Sequence, residues 1–254
     1  MKEIPMLFST PMIQAILQGR KTMTRRIMKP QIKDCNHSLF TEAEWRNLPT
    51  QWSEAALKIG RAYCACCGNG VEHSKDNGGI KCPYGQPGDL LWCRETWAPD
   101  LAGDDVNSYI EYIRYVADGT RLPIKWVKDY GRYSNRPGIH MNKEYARIWL
   151  QKTASKVERA CDISREDAIA EGLACITKDG GRTWKYGIPD SDGLPGTDDH
   201  GWPWQEWEID PVAAFKKLWC KINGPETWES WVWCESFAVL STTGKPLLTE
   251  KTNA

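Results

Sequence analysis

The 33 basic and 33 acidic side chains of this 254-residue chain cancel, so it has no net charge with which to attract a polyanion as a whole. Nucleic-acid coat proteins and polybasic membrane binders rest on summed positive charge and are excluded; any anion site must be local. No apolar run approaches the ~20 residues of a membrane helix, and MKEIPMLFSTPM at the N-terminus has no apolar stretch of signal-peptide length. The expectation is a cytoplasmic protein with no membrane partner, whose ten cysteines are thiols or metal ligands rather than disulfides. Strand and helix patterns do not alternate, and no glycine pattern of a phosphate loop occurs, which argues against a Rossmann fold. Three convergent His or carboxylate ligands for a catalytic metal are not evident either.

What is present suffices for a core, with 41% hydrophobic residues. Eight of the 14 tryptophans lie between Trp184 and Trp233, so the last third packs through aromatics or offers some of them to a flat ligand. Charge is concentrated once. In GRKTMTRRIMKP, Gly19 to Pro30, Arg20, Lys21, Arg25, Arg26 and Lys29 are basic and none of the twelve residues is acidic. Thr10 as cap, Pro11 in the first turn, apolar Met12, Ile13, Ile16 and Leu17, and Gly19 as terminator predict a helix that fixes where this segment begins. Thr22, Thr24 and Ile27 then suit an extended run.

A short helix is expected over Thr41 to Leu48. Cys64 and Cys67 have the two-residue gap of a zinc knuckle, and Cys82 could supply a third ligand across a polar, glycine-rich loop that cannot order itself by burial. Cys66, His73 or Cys35 would complete a structural zinc site; the alternative is a set of free thiols, since no second CxxC or HxxxH pair accompanies Cys82.

Beyond Pro87 the texture is β. LLWCRETW alternates as a strand, so one of Arg94 and Glu95 points inward unless both sit at a solvated strand end. A second strand is expected at Tyr109 to Ala117. NRPGIHMNKEY then forms a loop carrying Arg136, His140 and Met141 into the strand ARIWLQKTASKV, where His140 is either a structural hydrogen-bonder or a ligand contact.

In CDISREDAIAEGL, Ser164 and Asp167 make a capping-box pattern, Ile163 and Ala168 take the staple positions, and Gly172 closes a short helix. That leaves Glu171 at the negative end of the helix dipole, where local energetics do not favour it and a cationic partner or a chemical role is the sharper reading. Residues 176 to 208, rich in Gly, Pro, Asp and Trp, read as a surface loop or insertion able to act as a lid. Asp210 and Pro211 open a helix with Val212, Phe215, Leu218, Trp219 and Ile222 on one face, stopped at Asn223 and Gly224. WVWCESFAVL makes a last strand, with a disordered tail after Ser241. The order of elements argues α+β on an antiparallel or barrel-like sheet: one domain over 1–240 with inserts at about 31–86 and 176–208.

GRKTMTRR after a short helix, YGQPGDLLWCRETW, RPGIHM before a strand, ISREDAIAEG and a closing INGP followed by WVWCESF together resemble the ASCH domain family, in the form common among phage and prophage proteins. The resemblance spans most of the chain apart from the Cys-rich segment and the 176 to 208 loop. It implies a PUA-like β-barrel with flanking helices and a cleft for a nucleobase, nucleotide or RNA. Small bacterial members are amidohydrolases acting on N4-acetylcytidine through a Lys, a Thr three residues later and a Glu from the short helix, with no cofactor. Lys21, Thr24 and Glu171 match these three, with Arg20, Arg25, Arg26, Glu95, Arg136, His140 and Met141 as substrate contacts. The alternatives within the resemblance are a non-catalytic RNA or modified-base binding module and a phage morphogenetic factor.

The chemistry is coherent without the resemblance. Amide hydrolysis needs a nucleophile, a base and oxyanion stabilisation. Lys21 could be the base if burial or neighbouring cations depress its pKa. Strict strand geometry would put Lys21 and Thr24 on opposite faces, so a turn or bulge is required between them.

Overall fold

The protein is described by a computed structural model covering residues 1–29, 31, 61–62, 80–101, 110–127 and 134–247. In chain order its elements are β1 (Glu3–Leu7), α1 (Thr10–Leu17), β2 (Met23–Ile27), β3 (Arg61–Ala62), β4 (Ile80–Lys81), β5 (Leu90–Arg94), β6 (Trp97–Leu101), β7 (Ile110–Tyr115), β8 (Arg121–Val127), β9 (Trp149–Arg159), α2 (Arg165–Ala170), β10 (Ala174–Ile176), β11 (Lys185–Gly187), α3 (Pro211–Asn223) and β12 (Trp231–Ser241). The class is α+β. The main sheet runs β1-β5-β9-β12-β2, with β1 parallel to β5 and the other pairs antiparallel, so it is mixed rather than wholly antiparallel. The expected helix over Thr41 to Leu48 lies outside the described residues.

The sheet is open, with β1 and β2 as its edges, and no closed barrel forms among the described strands. The edges nevertheless approach each other. The Arg26 guanidinium of β2 donates to the Leu7 carbonyl at the end of β1 and lies 5.4 Å from the Phe8 ring centroid. A side chain bridges the seam where strand pairing does not.

α1 forms where its caps predict, but Ser9 is the N-cap, its carbonyl accepting from Ile13 N at 3.0 Å, and Thr10 is the first helical residue. Gly19 ends the helix at φ 72°, and the Arg20 and Lys21 amides fold back on the Ala15 carbonyl at 2.9 and 3.0 Å. Ile13 and Ile16 pack with Leu91 and Cys93 of β5 on one face, while Leu90 and Trp92 pack with Trp149 on the other. Because both faces of β5 are covered, Leu90 to Cys93 do not alternate in polarity. The predicted strand LLWCRETW is in fact two. It breaks at Glu95 and Thr96, and β6 leaves for a separate sheet of order β6-β7-β8.

Residues 176 to 208 are not a peripheral loop. Trp202 and Trp207 are buried in one cluster with Phe215 and Trp219 of α3 and Val232 and Cys234 of β12. The polar turn that precedes Trp202 wraps its own carboxylate: Asp190 accepts backbone N–H bonds from Asp198, Asp199 and Gly201 at 3.1, 3.3 and 2.6 Å. α3 has Asp210 as N-cap and ends at Gly224, φ 90°; Ile222, expected on its buried face, is exposed. Past Ser241 the chain is held as far as Gly244, whose N–H donates to the Arg147 carbonyl at 2.8 Å, so the expected disorder does not begin there. No helix among the described residues is long and apolar enough to cross a membrane.

Candidate active site

α2 is only six residues long and is specified by its start. Ser164 Oγ accepts from Asp167 N at 3.1 Å, and Ile163 and Ala168 are buried in the same cluster. The capping box is half-made, because the Asp167 carboxylate turns to Arg25 and Lys156, at 2.8 and 2.6 Å. Glu171 caps the C-terminus and Gly172 follows at φ 106°. A Cβ on Gly172 would come within 2.9 Å of Ala15 Cβ and 3.0 Å of Lys21 Cβ, so only glycine lets the end of α2 lie against the end of α1.

That contact brings Lys21 and Glu171 together. Lys21 is fully buried, and its Nζ donates to Glu171 Oε2 at 2.7 Å and to the Glu171 carbonyl at 2.8 Å. Burial drives the Lys21 pKa down, with Arg26 and Arg25 adding to the push and Glu171 opposing it. Glu171 Oε1 meets Arg25 Nη1 at 3.3 Å.

The irregularity required between Lys21 and Thr24 is present. Lys21 forms an isolated bridge with Glu171, and Thr22 N donates to Ala170 O at 2.9 Å while its carbonyl accepts from Phe237 N of β12 at 2.9 Å, just before the regular ladder with β12 starts at Met23. Thr24 and Arg26 share a face of β2 by alternation. Lys21 Nζ lies 5.9 Å from the centroid of the Phe8 ring that Arg26, on Thr24's face, also approaches at 5.4 Å. Thr24 is buried opposite Glu235. Arg26 Nε is a buried donor with no hydrogen-bond partner among the described residues. A cavity of about 420 Å³ adjoins Glu171 and Gly172 and is walled by Ser9, His200, Trp202 and Lys221.

The other candidates divide. Arg25 is buried and bound to Glu158, Asp167 and Glu171, so three internal carboxylates occupy the guanidinium expected to hold a phosphate. Arg20 donates to the Gly172 carbonyl and to Gln18. Glu95 is not a solvated strand end: Arg147 Nε and Nη2 grip its two oxygens at 2.9 and 2.8 Å, which leaves it structural. Met141 is a core residue packed with Trp97, Tyr115 and Tyr145 rather than a ligand contact. Arg136 pairs through its backbone with Trp97 and lies 5.0 Å from that ring's centroid, and His140 is exposed in a 3-10 turn, Gly138–His140.

Of the zinc ligands, Cys64 and Cys67, with Cys66, His73 and Cys35, lie outside the described residues. Cys82 is buried, its thiol donating to Glu235 Oε1 at 3.3 Å with Lys152 Nζ 3.7 Å away; burial and the Glu235 charge push the thiol up to about 12. Among the described residues no group of three or more His, Cys, Asp or Glu is placed to hold a metal ion.

Lys152 and Glu235 form a second buried Lys–Glu pair that pattern reading did not single out. The signal was present in WVWCESF, where Glu235 takes an inward position between Trp233 and Phe237. Scans against protein-family models, curated proteins and solved structures return no match for this chain.

Proposed function

We propose that this protein hydrolyses the amide of an acylated nucleobase or nucleoside of the N4-acetylcytidine kind, on a PUA-like ASCH scaffold. One observation carries the reading: a fully buried lysine amine, 2.7 Å from a glutamate oxygen, whose pKa burial lowers. A lysine whose pKa is lowered in this way supplies more neutral amine at a given pH than an exposed lysine does. Lys21 takes a proton from the attacking oxygen, Thr24 supplies or positions that oxygen, and Glu171 orients the amine. As the tetrahedral centre collapses, the C–N bond breaks and the Lys21 ammonium returns the proton to the leaving nitrogen. The unpartnered Arg26 Nε is the donor that a developing oxyanion on this face would meet.

Acetate release from N4-acetylcytidine by the purified chain, compared with Lys21→Ala, tests this. Turnover in the first and none in the second is expected; none in either, or equal rates, overturns it. The reading as a non-catalytic RNA module is weakened by the internal pairing of Arg25 and Arg20, which leaves less of the basic segment for phosphate.

A further inference from the structure

The Lys152–Glu235 pair lies within the main sheet, and both side chains are completely shielded from solvent. One hydroxyl contacts its carboxylate, and a second hydroxyl-bearing residue faces Glu235 across the ladder. Ser155, opposite Glu235 on β9, donates from Oγ, with 2.9 Å to Oε1 and 3.0 Å to Oε2. Thr24 is opposite Glu235 on β2. Directly opposed residues in an antiparallel ladder point to the same face with Cβ atoms about 4.5–5.5 Å apart. Lys152 is itself anchored, its Nζ donating to the Gly85 carbonyl at 2.8 Å. Cys82 Sγ also reaches the carboxylate, at 3.3 Å, and the Tyr84 phenol lies within range of its charge.

Stability does not account for this pair. Desolvating an ammonium and a carboxylate offsets most of their attraction, and a well-packed apolar pair would serve the sheet as well or better. What the arrangement does supply is a carboxylate, held by Lys152 and Ser155, on the residue that faces Thr24 across the ladder. A carboxylate has about four acceptor positions, and Ser155, Cys82 and Lys152 leave capacity for one more donor.

We infer that Glu235 is a positioning residue that draws the Thr24 hydroxyl hydrogen toward its carboxylate, so that Thr24 presents lone pairs to the reaction and holds a water instead of attacking. The inference rests on the amidohydrolase reading and decides between the two roles that reading leaves to Thr24. Water then donates one hydrogen bond to Thr24 Oγ and the other to the Lys21 amine. Its oxygen bonds to the carbonyl carbon as its proton passes to Lys21, and that proton leaves with the amine when the C–N bond breaks. Thr24 keeps its own hydrogen throughout, and no acyl-enzyme forms.

The experiment has two arms. In the first, intact-mass measurement during turnover of N4-acetylcytidine is expected to show no acetylated enzyme, and Glu235→Gln is expected to lower kcat at least tenfold with KM changed less than about threefold. Glu235→Asp should recover part of the loss, because a shorter carboxylate still accepts where an amide can also donate. Acetyl-Thr24, or an unchanged kcat in Glu235→Gln, overturns the inference while leaving the amidohydrolase reading intact. The second arm needs no turnover: Thr24→Val, Glu235→Gln and the double variant are compared by urea unfolding. A coupling of about fivefold or more in the unfolding equilibrium constant is expected for interacting neighbours. Additive losses overturn the inference even if the chain has a different substrate, whereas coupling without turnover keeps the Thr24–Glu235 interaction and rejects only the reaction.

Discussion

Two of the buried ion networks in this molecule differ in the cation at their centre. Around Arg147, a guanidinium grips both oxygens of Glu95, reaches Asp118 at 2.8 Å and lies 4.2 Å from the Tyr115 ring centroid. Around Glu171, a lysine amine and Arg25 share one carboxylate. A guanidinium stays charged in any protein setting and its planar fork matches a carboxylate, so the first network is an unswitchable brace. An ammonium is a compact charge that burial can make neutral, so the second contains a group able to exchange a proton. Burial alone therefore does not mark a site; a buried group that can change its charge does.

The contrast is broken most directly at its rigid end. Arg147→Ala leaves Glu95 with no cation within the sheet and removes the Asp118 contact. Breaking a buried pair by deleting one partner costs about 3–5 kcal/mol, and urea unfolding is expected to show a loss of that order. Lys21→Met is expected to be milder, because Arg25 still holds Glu171 and a methionine fills the same space. Equal destabilisation by the two substitutions would remove the distinction.

The Lys21→Met variant sharpens the contrast from the chemical side. Loss of a positioned general base typically costs on the order of 10²- to 10⁴-fold in turnover, and acetate release from N4-acetylcytidine should fall by at least the lower figure while Arg147-side substitutions act through stability. The sign of the pH dependence follows from the same residue. Because burial lowers the Lys21 pKa below its ordinary 10.5, the neutral amine accumulates as pH rises through the lowered value, so the rate should climb on a limb centred below 10.5. A limb at the ordinary lysine value would mean that another group carries the proton.

Much of this site was legible in the chain, and the reasons are local. Gly19, the Ser164 cap and Gly172 are short-range signals, and together they put Lys21 and Glu171 at the ends of two helices. That the two ends touch is long-range, with no local trace beyond Glu171's awkward place at the C-terminus of a helix. The sequence leaves Glu95 open between an inward position and a solvated strand end for the same reason: its partner, Arg147, lies 52 residues away, and no pattern in LLWCRETW distinguishes a gripped carboxylate from a solvated one. The burial of Trp202 and Trp207 is masked by the polar, exposed residues before them, of which Asp190 alone turns inward to satisfy the loop's own backbone. The charge count of the basic segment misled because it recorded cations without their partners on β9 and α2.

A smaller effect separates the networks by pH. Burial would raise the Asp167 carboxyl, but hydrogen bonds from Lys156 and Arg25 outweigh it and hold the pKa below its ordinary value. The folded chain therefore binds this proton less readily than the unfolded one. The resulting stability is fully present above the unfolded pKa of about 3.9 and is lost as pH falls through the folded value. Asp167→Asn should flatten the acid-side slope of unfolding free energy below about pH 4 and leave the slope near neutrality unchanged. An unaltered acid limb would show that Asp167 is not held by those cations in solution.

The smallest expected effect lies at Ser164. Its hydroxyl makes the side-chain cap of α2, and Ser→Ala at such a position costs about 1 kcal/mol. A six-residue helix has few other contacts of its own to resist fraying, and the two acids it presents to the Lys21 and Arg25 side, Asp167 and Glu171, sit one at its N-terminal turn and one at its C-cap. Loosening the cap should therefore reach the network centred on Glu171 and leave the Arg147 network untouched. Hydrogen exchange reads this residue by residue: the Ala168 and Glu171 amides, bonded to the Ser164 and Asp167 carbonyls, should lose protection in Ser164→Ala, while the Tyr115 amide, bonded to the Thr120 carbonyl beside Asp118, should keep its own. Equal loss at both places would mean that the two networks open as one unit, and that the brace and the proton-exchanging group are not separable in this fold.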